Sequence, residues 1–328
     1  MTITKTNSHR LQYLRLNLYF SFLIVLLTAC SNDDENPAEN QAIAGGYSIV
    51  VTDNNVLISG IESKHGTITS KFWVNAEIVD ATTFDTYITN QTLYRKSIDE
   101  NYRKNYVYKD LQGQNQNYQF DQGSLAENGR VFYYKNNVLT FMDNDSTGTV
   151  SSVAFHNDKP YFTGYFGKIT PSAGGNTLRP EIPFIWDGDN LLDTLSLPEQ
   201  TSVFQGVSTL YVESPDLVYV GGLCGVPMYW ENTEPVILDE RYGEVWEITK
   251  SGNDLYAVGL INKHSSNSTG HTACYWKNGE LHELEDNAQA FGIFVEGDDI
   301  YVCGAIGTAQ ADYTPCYWKN GVRMELPM

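Results

Sequence analysis

A tryptophan recurs through the C-terminal half of this chain at Trp186, Trp230, Trp276 and Trp318, at intervals of 44, 46 and 42 residues. Around it the sequence repeats as Phe184-Ile185-Trp186-Asp187-Gly188, Met228-Tyr229-Trp230-Glu231-Asn232, Cys274-Tyr275-Trp276-Lys277-Asn278-Gly279 and Cys316-Tyr317-Trp318-Lys319-Asn320-Gly321. A weaker copy, Phe72-Trp73-Val74-Asn75, lies near the start. A second element precedes each tryptophan, an apolar run ending in glycine: Val56–Gly60, Tyr161–Gly164, Val218–Gly221, Leu255–Gly259 and Asp299–Ala305 with Gly304. Asn-Gly between apolar runs is a strong hairpin signal, because the primed turn needs positive φ at both central residues.

Each unit therefore divides into four short strands, and a four-strand unit every 40–45 residues is the period of a β-propeller blade. The apolar runs are continuous, not alternating. That fits blades packed on both faces by their neighbours. The expected fold is all-β, a propeller of four-stranded blades over residues 45–328, with six blades and seven as the alternative. Residues 81–148 are the difficulty, since 68 positions are too many for one unit and too few for two. Within them Ser124–Tyr134 is read as a strand pair and Lys135-Asn136-Asn137 as a turn. The aromatic–Trp–x–Asn/Asp–Gly hairpin after a glycine-terminated strand resembles bacterial propeller repeats of the HAF and Kelch kind. That likeness speaks for architecture and leaves the ligand open.

The N-terminus reads as an export signal. Lys5, Arg10 and Arg15 precede the apolar run Phe20–Leu27, which is too short to cross a bilayer at about 20 residues per span. It ends in Leu27-Thr28-Ala29-Cys30, which resembles the lipobox of bacterial lipoproteins. The resemblance implies cleavage after residue 29 and lipidation of Cys30. The acidic stretch Ser31–Asn36 that follows resembles the export signal of surface lipoproteins of Bacteroidota, and residues 30–44 then form a flexible tether. The expected location is the outer membrane, with display at the cell surface and the periplasmic face as the alternative. Removing residues 1–29 removes three positive charges and no negative ones, which takes the net charge from −19 to −22. Such a body is repelled by nucleic acid and by anionic lipid head groups, so membrane association falls to the lipid anchor.

No catalytic constellation is legible, and no metal or cofactor set is expected, because the six histidines are scattered without zinc spacing. Asp143-Asn144-Asp145 and Asp187-Gly188-Asp189 could hold calcium, but tight turns favour these residues anyway. Cys224, Cys274, Cys303 and Cys316 read as buried thiols, with Cys303–Cys316 the best pair if a disulfide forms. The repeated tryptophans and tyrosines read as packing between blades, not as a sugar-stacking array.

Two features suggest contact with a partner. The connections between second and third strands vary in length at Glu62–Ser70, Tyr165–Glu181, Leu260–Thr272 and Ala305–Thr314, and strand alternation puts them all on one rim. Variable loops on one face of a repeat array mark a binding face. The candidate rim comprises Lys64, His65, Tyr165, Phe166, Lys168, Arg179, Lys263, His264, His271 and Tyr313. The second feature is a basic, tyrosine-rich segment, Tyr94–Lys109, with Arg95, Lys96, Arg103, Lys104 and Lys109, suited to an anionic partner or else a charged strand face. The leading expectation is a non-enzymatic envelope protein that binds polysaccharide or an outer-membrane partner protein. The alternatives are a propeller-type polysaccharide lyase or glycosidase, and a purely structural lipoprotein.

Overall fold

The computed structural model describes residues 43–64, 67–98, 103–121, 130–142, 146–172, 175–198, 206–263, 270–307 and 313–328. They form a six-bladed β-propeller of antiparallel sheets with one short helix. Blade 1 is β1 (Ile43–Thr52), β2 (Asn55–Lys64), β3 (Thr67–Val74) and β4 (Glu77–Val79). Helix α1 (Ala81–Tyr87) leads into blade 2, made of β5 (Thr92–Ile98), β6 (Arg103–Lys109), β7 (Asn115–Asp121), β8 (Phe132–Lys135) and β9 (Val138–Phe141). Blade 3 is β10 (Gly148–His156), β11 (Lys159–Ser172), β12 (Gly175–Trp186) and β13 (Leu191–Thr194). Blade 4 is β14 (Gly206–Ser214), β15 (Leu217–Leu223), β16 (Pro227–Glu231) and β17 (Glu234–Ile237). Blade 5 is β18 (Gly243–Ser251), β19 (Asp254–Asn262), β20 (His271–Lys277) and β21 (Glu280–Asp286). Blade 6 is β22 (Ala288–Glu296), β23 (Asp299–Ile306), β24 (Thr314–Lys319) and β25 (Val322–Glu325).

The turns behave as their residues demand. Asn278-Gly279 and Asn320-Gly321 have φ of 53° and 83°, and 51° and 78°, the primed-turn geometry. Each turn asparagine also reaches back to its own blade. The Oδ1 of Asn75, Asn136, Asn232, Asn278 and Asn320 accepts the N–H of Val56, Asn117, Val218, Leu255 and Ile300, at 2.8–2.9 Å. In four of these blades the acceptor's partner opens the second strand. The same bond from Asn136 to β7 therefore marks β7 as the second strand of blade 2, and β6 to β9 as its regular four. Strand β5 is an additional innermost strand. This resolves the 68-residue segment: it holds one blade, an extra strand and a helix, not two poor blades. The hairpin there is β8–β9, whereas residues 124–129 of the anticipated strand pair lie outside the described residues. Asp80 caps α1 by accepting the Thr83 N–H at 2.8 Å, and Phe84 wedges the helix between Phe72 and Tyr94.

The cores lie between blades, not within them. Ile49, Val51, Ile58 and Trp73 of blade 1 share one cluster with Tyr301, Cys303, Tyr317 and Leu326 of blade 6, which closes the ring without exchanging a strand. The repeat tryptophans are the rivets. Trp73, Trp230, Trp276 and Trp318 are all fully buried, and three of their indole N–H groups cross to the preceding blade: Trp73 to Pro327 O, Trp230 to Ser196 O and Trp318 to Glu285 Oε2. They are packing residues, as their fixed slot implies. Cys224, Cys274, Cys303 and Cys316 are buried thiols, and none of them is in a disulfide. Cys303 faces blade 1 while Cys316 faces blade 5, because Cys316 pairs with Gly304 and falls on the opposite face of the sheet. A bridge between them is excluded by that alternation.

Candidate functional site

The innermost strand of each sheet carries one extra residue in its pairing with the neighbouring strand. The register slips between Gly46 and Ser48, Arg95 and Ser97, Val150 and Ser152, Val207 and Thr209, Val245 and Glu247, and Ala290 and Gly292. A β-bulge re-aims the side chains around it. Here the bulge residues of blades 1, 4, 5 and 6, Tyr47, Ser208, Trp246 and Phe291, line the propeller axis. Tyr47, Trp246 and Phe291 come from blades 1, 5 and 6, and their rings pack together. Tyr47 stacks on Phe291 with centroids 4.6 Å apart, and Trp246 meets Phe291 edge-on at 5.7 Å. Blades 3 and 4 contribute the serines Ser152 and Ser208. Together these strands enclose an axial cavity of about 60 Å³ whose lining includes Tyr47, Ser48, Tyr106, Ser152, Ser208, Trp246, Glu247 and Phe291. Glu247 Oε2 accepts the Ile293 N–H at 2.9 Å. The Trp246 indole N–H is buried with no hydrogen-bond partner.

The basic segment lies on the inner strands of blade 2. Arg95, Lys96, Arg103, Lys104 and Lys109 fall on β5 and β6, the two innermost strands of blade 2. Lys104 is buried, and its ammonium donates to Ser151 O at 3.4 Å across to blade 3. Lys109 donates to Ile88 O at 2.8 Å and fastens α1 to β6. Of Arg95, Lys96 and Arg103 only the strand position is described.

Above the bulges, blade 5 buries a polar group. Glu244 is 7% exposed, and its carboxylate accepts the Tyr242 hydroxyl at 3.4 Å. Burial pushes its pKa up to about 7, only partly offset by that hydrogen bond. On the same face of blade 5, His271 Nδ1 and Asn262 Oδ1 are buried without hydrogen bonds, and burial lowers the histidine pKa to about 4. The consequence for stability has opposite signs at the two groups. Below about pH 4.5 Glu244 is protonated folded or unfolded and contributes nothing. From there to about pH 7 the unfolded chain releases a proton that the folded chain keeps, so stability falls as pH rises. His271 acts conversely and costs stability as pH drops from 6.5 toward 4. Glu244→Gln should therefore stabilise the protein above pH 7 by up to about 3 kcal/mol and make little difference near pH 4. Urea unfolding of both proteins at pH 4, 6 and 8 checks this; a constant offset at all three would refute the assignment.

The second-to-third strand connections leave on one rim, opposite the two-residue turns, but they are less loop-like than expected. β2 and β3 continue as paired strand out to Lys64 and Thr67, and β11 and β12 stay paired from Phe162–Trp186 out to Ser172–Gly175. Among the described residues no strand of the sheet flanks this hairpin beyond Phe166, where the Gly167 N–H donates to Thr147 O. Of the candidate rim residues, Lys64, Lys168, Arg179 and Lys263 are exposed. Lys64 pairs with Glu62, Lys168 with Glu181 at 3.1 Å, and Lys263 with Asp286. Tyr165 and Phe166 are half-buried against the cores beside blade 3, His271 is half-buried, and Tyr313 is buried with its hydroxyl accepting from Gln289. These four support the fold as much as they face outward, because a strand end at the rim still packs on the next blade. His65 and His264 lie outside the described residues, as does the turn Asp143–Asp145. Asp187 is occupied within its own turn, accepting the N–H groups of Asp189 and Asn190 and pairing with Lys159.

On the opposite rim four lysines sit in clusters with a carboxylate and a tyrosine ring. Lys277 pairs with Asp254 and stands over Tyr256, Lys319 pairs with Asp299 and stands over Tyr301, and Lys159 pairs with Asp187 and stands over Tyr161. Lys250 repeats the pattern with Glu213 and Tyr219. Each ammonium is neutralised by a carboxylate and covered by a ring, which leaves little for a partner to use.

Fold and axis together define the class, a six-bladed propeller with a bulge-lined central cavity. Among solved structures the chain is similar to the WD40 β-propeller domain of Doa1, at 14% identity and a TM-score of 0.42, covering 82% of this chain and 94% of that one. It is also similar to a B. megaterium levansucrase variant, at 8% identity and a TM-score of 0.30 over 93% and 92% of the two chains. A thermostable family-43 glycoside hydrolase matches at 10% identity and a TM-score of 0.30 over 89% and 96%. No family model and no curated protein matches the sequence.

Proposed function

We propose that this is an exported, lipid-anchored envelope protein that binds a polysaccharide, or a partner protein of the outer membrane, on the rim bearing the second-to-third strand connections. The observation that supports the reading is the long paired extension of β11 and β12 on that rim, which runs out to Ser172 and Gly175 and carries the exposed Lys168 and Arg179. The anchor rests on Leu27-Thr28-Ala29-Cys30 and the acidic stretch behind it.

Glycan-array binding and pull-down from intact cells test the binding role, and silence in both removes it. Release of new reducing ends or unsaturated products from polysaccharides would move the protein to the enzymes instead. Arg179→Ala and Lys168→Ala should weaken binding while changing stability by less than about 0.5 kcal/mol, because both side chains are exposed and the Lys168 ion pair is a surface one. Cys30→Ser should abolish lipid labelling and move the protein out of the membrane fraction. Retention without label would show that something other than the lipid holds it.

A further inference from the structure

Five of the six tryptophans hold the repeat slot and are at most 6% exposed. The sixth, Trp246, stands outside the repeat, at the bulge of β18, and is left partly open. It packs edge-on against Phe291, beside Tyr47, while the equivalent bulge residues of blades 3 and 4 are Ser151 and Ser208. Its indole N–H points to no acceptor, and an unmade hydrogen bond at a buried donor costs free energy. Beside it, Glu247 is also partly exposed and lines the same cavity with Ser48 and Ser152.

We infer that Trp246 and Glu247 form an axial subsite for an uncharged, hydroxyl-rich ligand, the end of a neutral glycan. The proposal rests on the polysaccharide reading above and names its ligand class and its seat. An indole gives the apolar face of a sugar ring a flat platform and offers one donor to a hydroxyl, and a carboxylate accepts from hydroxyls while the serines do either. The cavity of about 60 Å³ has room for a few waters. It therefore admits a hydroxymethyl group or a ring edge, with the rest of the sugar lying above Trp246. The fixed charge in the cavity lining is the Glu247 carboxylate. A uronate meets it as a like charge, whereas a neutral sugar meets no repulsive partner.

The test is calorimetric titration of the full mature protein with cello-, manno- and xylo-oligosaccharides and with oligogalacturonate. Trp246→Phe keeps the ring and removes the N–H; Glu247→Gln keeps an acceptor for the Ile293 N–H and removes the charge. Each should weaken binding of a neutral oligosaccharide about tenfold, the loss expected for one good hydrogen bond, with the melting temperature unchanged. Undiminished affinity in both variants, or binding of oligogalacturonate alone, overturns the subsite and leaves the glycan reading standing. If no oligosaccharide binds, the glycan reading itself falls and the subsite with it.

Discussion

Trp73→Ala is expected to cost about 3–5 kcal/mol, the range for truncating a fully buried aromatic side chain, and to fall at the upper end of it. The side chain sits at the seam where the ring closes, against Tyr301, Cys303, Tyr317 and Leu326, with no exchanged strand to share the load. Its N–H also donates to Pro327 O at 2.8 Å, so truncation leaves both a cavity and a carbonyl without its donor. Trp276→Ala is the informative comparison. It empties a site of the same kind between blades 4 and 5, but its N–H has no partner to lose, so its cost should be smaller by about 1 kcal/mol. Denaturant unfolding of the two variants measures the difference. Equal losses would mean that the inter-blade hydrogen bond carries no net stability, and a negligible loss at both would contradict the role of these residues as the joints of the ring.

The slot of these tryptophans was legible because a repeat repeats its packing. Phe184, Met228, Cys274 and Cys316 each pair with the glycine near the end of the second strand, at Gly164, Gly222, Gly259 and Gly304. That equivalence can be read from the spacing alone. Blade 2 could not be read so, because β5 has no counterpart elsewhere and α1 interrupts the period. Tyr165, Phe166 and Tyr313 are less exposed than a rim of loops implies, for a different reason. Paired strand runs on through Tyr165 and Phe166 and half-buries them, and Tyr313, at the end of its connection, packs against Tyr47 and Ile61. Least visible of all was the axial site. A bulge leaves no pattern in a single strand, since it is a mismatch between two, so Trp246 and Glu247 gave no signal beyond a tryptophan out of register with the repeat.

The glycine that faces the bulge from the second strand carries the second large prediction. At Gly259 a Cβ would stand 1.8 Å from Glu244 O, 2.9 Å from Glu244 C and 3.2 Å from Val245 Cα. At Gly304 it would stand 1.9 Å from Gln289 O. These neighbours are backbone and cannot rotate away. The cause is the bulge: Gly259 pairs with Val245 and Gly304 with Ala290, the residue just before each slip, where the inner strand bows toward its partner. Gly259→Ala must push the start of β18 away or flatten the bulge, and it should cost about 3 kcal/mol or more, at the severe end of overpacking changes. Gly270→Ala, where the nearest atom is the Asn287 side chain at 3.6 Å, is the matched control and should stay within about 0.5 kcal/mol. Flattening the bulge also turns Trp246 from the axis. Gly259→Ala should therefore shift tryptophan emission even where the protein is still fully folded, below the onset of its denaturant transition. If the variant unfolds early but its native emission is unchanged, the glycine serves strand packing alone. If it is as stable as the control, the close approach of the two strands is not a constraint on this fold.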